Sequence, residues 1–124
     1  MYKPSVRAEV ITRRTYCRPK PEGGVETWAE VVDRVISHQR WLWTRAIEKQ
    51  TLTASEILAK NTMSGELDEL KQLLLERKVS VSGRTLWLGG TEIAKTREAS
   101  QFNCAHLKVE TVHDVVDSLW LLLQ

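Results

Sequence analysis

A chain of 124 residues, 42% of them hydrophobic, is sized for one modest domain or a piece of a larger one, and its composition excludes wholesale disorder. No apolar run approaches the ~20 residues of a membrane span, and the N-terminus has no hydrophobic signal core. Two cysteines far apart in sequence make no disulfide framework, so a reduced, cytoplasmic protein with no membrane partner is the expectation.

The net charge of +2 is unevenly spread. In residues 1–20, Lys3, Arg7, Arg13, Arg14, Arg18 and Lys20 stand against Glu9 alone. Such a leader contacts phosphates, nucleic acid or an acidic partner, or is a solvated arm. Val6, Ala8, Val10 and Thr12 alternate, which predicts a short edge strand or extended arm. Pro19, Pro21, Gly23 and Gly24 mark a loop, so residues 1–25 form an arm and loop.

A helical region spans 26–80. Trp28, Val31, Val32, Val35 and Ile36 recur at helical spacing as one apolar stripe, with Glu26 and Glu30 near the start, where the helix dipole favours acids. Trp41 and Trp43 continue this helix or begin the next turn. Residues 44–64 are weakly patterned, with Thr53 or Ser55 as candidate caps for a helix containing Ile57 and Leu58. A clearer helix covers 66–78, burying Leu67, Leu70, Leu73 and Leu74, with Arg77 and Lys78 near its C-terminal end.

Residues 81–124 open with a turn at Gly83 inside Ser82-Gly83-Arg84-Thr85-Leu86-Trp87-Leu88-Gly89-Gly90-Thr91. Adjacent glycines permit positive φ and close backbone approach, as phosphate sites require, although plain turns use them too. Residues 101–109 read as a strand, with Phe102, Cys104 and His106 on one face. Thr111 and Asp114 suggest a capping box for a helix whose broad apolar face carries Val112, Val115, Val116, Leu119, Trp120 and Leu123. That helix reaches Gln124 without a glycine, proline or basic cap, which reads as an interrupted domain.

Cys104 is the candidate chemical residue, set against the usual inert core role of a lone cysteine. Cys104, His106 and His113, with Cys17 or His38, lack the pair spacing of a zinc site, so no metal is assigned. Cys104 with His106 two residues on is no nucleophile and oriented base. Trp28 and Trp120 fall on apolar stripes and read as core, and no basic residues interleave with aromatics on a sheet face, so nucleic acid is not the expected partner.

These residues, in order, resemble the N-terminal part of adenosylcobalamin-dependent (class II) ribonucleotide reductases of the monomeric ribonucleoside-triphosphate reductase type. Arg13-Arg14-Thr15-Tyr16 is similar to the family's Arg-Thr-Tyr segment, and Glu26-Thr27-Trp28 through Val35 to its first helix. Ser82 to Trp87 with Gly90-Thr91 resembles its Ser-Gly-Arg-Asn-Leu-Trp and Ser-Gly-Thr segments. Ser100 to Cys104 resembles its Ser-x-x-Asn-Cys, and Asp117 to Leu122 the helix before its Gly-rich turn.

The resemblance implies an α/β fold: an α-rich fragment of N-terminal helices plus the first strand of a ten-stranded barrel. It implies that Cys104 is half of a redox pair that reduces the ribose, that Ser100 and Asn103 lie beside the nucleotide, and that the Gly89-Gly90-Thr91 backbone lies near its phosphates. It places the radical-bearing cysteine, the partner redox cysteine and the cobalamin-binding region outside this chain; Cys17 matches no motif. The implied unit is a fragment or subunit of a split reductase, inactive alone, needing a companion C-terminal chain, adenosylcobalamin, a ribonucleotide and a thioredoxin-like reductant. The rival readings are a class I-like catalytic-chain fragment, a small helical nucleic-acid-binding module with a basic arm, and a catalytically dead remnant.

Overall fold

The computed structural model describes residues 4–49, 54–104 and 106–123. Six α-helices follow one another: α1 Val6–Thr15, α2 Trp28–Lys49, α3 Ala54–Leu75, α4 Gly83–Leu88, α5 Glu92–Thr96 and α6 Val112–Leu122. A short 3-10 turn, Glu98–Gln101, lies between α5 and α6. The described residues are helix-rich and contain no strand; one isolated antiparallel bridge joins Pro19 and Val25 across the first loop.

The arm expected to be extended is α1. Ser5 caps it by accepting from the Ala8 amide at 3.2 Å, Glu9 lies in the first turn, and Arg13 and Arg14 lie in the last. The apparent alternation also contains i, i+4 pairs, and an edge strand has no neighbour here to satisfy its backbone. Thr12 is the buried residue of α1, its hydroxyl donating back to the Ala8 carbonyl at 2.8 Å.

Helix α2 begins at a reciprocal cap. The Glu30 carboxylate accepts from the Thr27 amide at 2.7 Å, and Thr27 Oγ1 accepts from the Glu30 amide at 3.3 Å. The predicted apolar stripe is buried and serves two sides. Val32 and Ile36 pack with Leu67 and Leu74 of α3, while Val31 and Val35 pack with Leu86 of α4. Trp28 touches both clusters and donates from Nε1 to the Leu74 carbonyl at 3.0 Å. Trp41 and Trp43 continue α2.

The helix expected over 66–78 is longer at its start and shorter at its end. α3 runs through Gly65 without a break and stops at Leu75; Ser55 lies inside it, and Thr53 lies outside the described residues. Its end is a Schellman arrangement, with the Lys78 amide donating to the Leu73 carbonyl at 2.9 Å and the Arg77 amide to Leu74 at 3.0 Å. Arg77 holds the left-handed position at φ 56°, where glycine is usual. Its guanidinium lies 4.5 Å from the Trp28 ring centroid and donates to Thr12 Oγ1 at 3.1 Å, so the residue that ends α3 also ties it to α1 and α2.

Three later expectations change. Gly83 is the first residue of α4 rather than a free turn, because Ser82 caps that helix by accepting from the Thr85 amide at 3.2 Å. The expected strand over 101–109 does not form among the described residues: Gln101 ends the 3-10 turn, and the backbone beyond it has no strand partner. Alternating side chains can shape a strand but cannot supply the neighbouring backbone it needs. Trp120, expected in a core, is 69% exposed on α6. The Thr111–Asp114 capping box is present, but it opens a helix whose Val112, Val116 and Leu119 face out. No helix among the described residues is long and apolar enough to cross a membrane.

Candidate functional site

Ser100, Asn103 and Cys104 come together. They line an open groove of about 560 Å³ with Arg84 on one side and Leu121 and Leu122 of α6 on the other. A second groove, of about 710 Å³, shares Arg84, Phe102 and Asn103 and runs toward Gln39 and Leu42 of α2. Arg84 joins the two walls through Nη1, which donates to the Ser100 carbonyl at 3.0 Å. Cys104 is an exposed free thiol, with His106 exposed on the same groove.

Gly89, Gly90 and Thr91 do not line either groove. The Gly89 carbonyl accepts from Arg34 Nη1, and Gly90, at φ 80°, presses against the same arginine. A Cβ on Gly90 would lie 2.6 Å from Arg34 Cγ and 2.7 Å from the Arg34 carbonyl oxygen. The close backbone approach that glycine permits is therefore an approach to α2. Thr91 Oγ1 donates to the Leu88 carbonyl at 2.6 Å and caps α5 by accepting from the Ala94 amide.

Arg34 is a residue that motif reasoning missed. Its Nε and Nη2 hold both oxygens of Glu26 at 2.8 and 3.0 Å, and Nη2 also donates to the Leu86 carbonyl at 3.0 Å and to Tyr16 at 3.4 Å. One side chain thus joins the first loop, α2 and the C-terminal end of α4. Burial pushes the Glu26 carboxyl up, but hydrogen bonds from Arg34 and the Arg18 amide, with the charges of both arginines, hold it below the ordinary value. The signal in the sequence was a charged residue set between the stripe positions Val31 and Val35.

His38, weighed in the sequence only as a metal ligand, has a different place in the structure. It is 1% exposed, stacked on Trp41 with ring centroids 5.5 Å apart, and its Nε2 lies 3.4 Å from Gln101 Nε2. The contact ties the ring to the 3-10 turn; which ring nitrogen carries the proton follows from whether Gln101 turns its NH2 or its carbonyl oxygen to Nε2. Nδ1 has no hydrogen-bond partner among the described residues, a cost of about 1–3 kcal/mol for a buried polar group. Burial is the main cause that lowers the His38 pKa; Lys95 adds to it and Glu98 opposes it. Cys17 is half-buried against Val31, Val35 and Leu86, and burial is also the main cause that pushes its thiol up. No group of three His, Cys, Asp or Glu among the described residues is placed to hold a metal ion.

The ribonucleotide reductase alpha domain matches residues 3–91, a range that includes Arg34, His38, Arg84 and Gly89-Gly90-Thr91 and stops short of Ser100–Cys104. A protein of Mycobacterium phage D29 is 33% identical over 96 residues, 77% of this chain and 11% of that protein. The adenosylcobalamin-dependent ribonucleoside-triphosphate reductases of Lactobacillus helveticus and Lactobacillus leichmannii are 34% and 32% identical over 96 residues, 77% of this chain and 12% of each enzyme. No solved structure matches. The chain spans about an eighth or less of the length of these relatives. With the family matched across well over half of its residues, this chain belongs to the ribonucleotide reductase alpha-domain family.

Proposed function

We propose that this chain supplies one wall of the substrate pocket of a ribonucleotide reductase that reduces ribonucleoside triphosphates by thiyl-radical chemistry. The observation that carries this reading is the groove that gathers Ser100, Asn103 and Cys104 around Arg84, in a chain of this family. In the proposed step Cys104 and a second cysteine, outside this chain, each give up a proton and an electron. The ribose 2′-hydroxyl leaves as water, hydrogen takes its place, and the two sulfurs join as a disulfide. A thioredoxin-like dithiol then reduces that disulfide. Ser100 and Asn103 contact the nucleotide, and the Gly89-Gly90-Thr91 backbone, which lines neither groove, serves the site from behind by fixing α4 against α2.

Adenosylcobalamin dependence is what the names of the Lactobacillus relatives state of those enzymes. The residues of this chain do not fit that group: both grooves are open, nucleotide-sized, and lack the enclosure a corrin requires. The cofactor therefore belongs to the remainder of the enzyme. That remainder, as a companion C-terminal chain, also supplies the barrel strand beside residues 101–109 and the cover for α6. Val112, Val116, Leu119 and Trp120 present an apolar face of the kind that marks a protein contact. The setting of such an enzyme is cytoplasmic.

The test combines this chain with the companion chain, adenosylcobalamin, a ribonucleoside triphosphate and thioredoxin. Deoxynucleotide formation is expected from the mixture and from neither chain alone. Cys104→Ser should abolish thioredoxin-dependent turnover; turnover at the parent rate in that variant would sink the redox role. Turnover supported by a separate metal subunit without cobalamin would move the chain to a class I-like enzyme.

A further inference from the structure

Three contacts hold the 3-10 turn Glu98–Gln101, from which Phe102, Asn103 and Cys104 depart. Arg45 of α2 pairs with Glu98, Arg84 of α4 donates to the Ser100 carbonyl at 3.0 Å, and Gln101 meets His38 of α2 at 3.4 Å. The first pair is half-exposed, whereas His38 is buried. Among these residues only the imidazole has an ordinary titration between pH 5 and 8.

The surroundings of His38 suit the neutral ring. Trp41 stacks on it, and Arg45 in turn lies over Trp41, 5.2 Å from that ring's centroid. The charged groups that face it are Lys95 from α5 and Glu98 from the 3-10 turn; Arg45 of its own helix lies over Trp41 instead. Glu98 is already paired with Arg45. A protonated ring would carry N–H groups on both nitrogens. Gln101 would have to turn its carbonyl oxygen to Nε2–H to keep the contact, and Nδ1–H would remain without an acceptor among the described residues. Burial near Lys95 adds a further penalty for the charge.

We propose that His38 is a positioning residue that acts through Gln101: the neutral ring fixes the 3-10 turn and with it the Ser100–Cys104 wall of the groove, and the protonated ring releases that wall. The inference rests on the reductase reading only for what the wall does in turnover; the coupling itself belongs to this chain.

The experiment is a pH titration of the isolated ¹⁵N-labelled chain from pH 8 to 4 by NMR, with Trp fluorescence in parallel. The His38 ring signals are expected to titrate with a midpoint below the ordinary 6.5. The amides of Glu98–Cys104 should move with the His38 midpoint, and Trp41 emission should fall on the same curve as the stacked imidazole gains its charge. Gln101→Leu leaves α2 and His38 in place. It should uncouple the two, so that His38 still titrates while the Ser100–Cys104 amides no longer follow it.

Three results would overturn the proposal: a His38 midpoint at or above 6.5, amides that stay flat through its titration, or amides that follow it equally in Gln101→Leu. Loss of turnover in the reconstituted enzyme would strike the reductase reading and leave this coupling standing. Flat amides in an active enzyme would do the reverse.

Discussion

Arg34 holds both carboxylate oxygens of Glu26, through Nε at 2.8 Å and Nη2 at 3.0 Å, while its Nη1 donates to the Gly89 carbonyl. The pair is largely buried, with the two side chains 13% and 14% exposed. A paired charge in that setting stabilises less by its attraction than its loss destabilises, because the partner left behind is uncompensated. Arg34→Met should lower stability by about 3 kcal/mol, the low end for breaking a buried pair. Arg34→Lys should recover only part of this, since an ammonium cannot span a bidentate carboxylate and backbone carbonyls at once. Urea unfolding midpoints at neutral pH measure both.

Acid should weaken the fold in a defined window. Lys20 and the Thr27 cap hold the Glu30 carboxyl at about 2, and Glu26 is held below the ordinary value of 4.5. Both folded values are depressed, so the unfolded chain takes up protons first as pH falls. Their stabilisation is complete above about 4.5 and is lost as pH drops toward 2. Urea midpoints followed from pH 6 to 2 should decline, and Glu26→Gln should flatten part of that decline while starting from a lower midpoint.

Gly90 and Gly24 both have positive φ, but only one is crowded. A Cβ on Gly24 at φ 81° meets nothing within 4 Å, whereas on Gly90 it meets Arg34 backbone at 2.7 Å. Gly24→Ala should cost about 1 kcal/mol, the left-handed strain alone. Gly90→Ala should cost about 3 kcal/mol, because the displaced backbone of α2 adds to the strain. Thermal melts of the two variants separate these terms.

Arg77 accepts left-handed strain in exchange for the Trp28 face and the Thr12 hydroxyl. Arg77→Gly relieves the strain but loses a cation–π contact and a hydrogen bond, each about 1 kcal/mol, and should fall within about 1 kcal/mol of the parent. Arg77→Ala loses the contacts and keeps the strain, so it should be less stable than Arg77→Gly by about 1 kcal/mol. Chemical denaturation of the three proteins side by side gives the order.

The local features were legible in the sequence where local physics decides them. The stripe Trp28–Ile36 faces the core because its spacing allows no other orientation for a helix, and Thr111 with Asp114 forms its capping box three residues apart. The Ser5 cap and the Thr27–Glu30 box were present in the residues and would have turned the first arm into a helix and fixed the start of α2.

What only the tertiary structure decided were the contacts between segments distant in sequence. Gly89-Gly90 faces Arg34, fifty-five residues away, rather than a groove. Arg84 and His38 converge on the 3-10 turn before Cys104, across 16 and 63 residues. Periodicity reports which face of an element is apolar, but not which other element will meet it. For the same reason the alternation at 101–109 could not make a strand on its own: the pattern lies in the sequence, and the hydrogen-bonding neighbour does not.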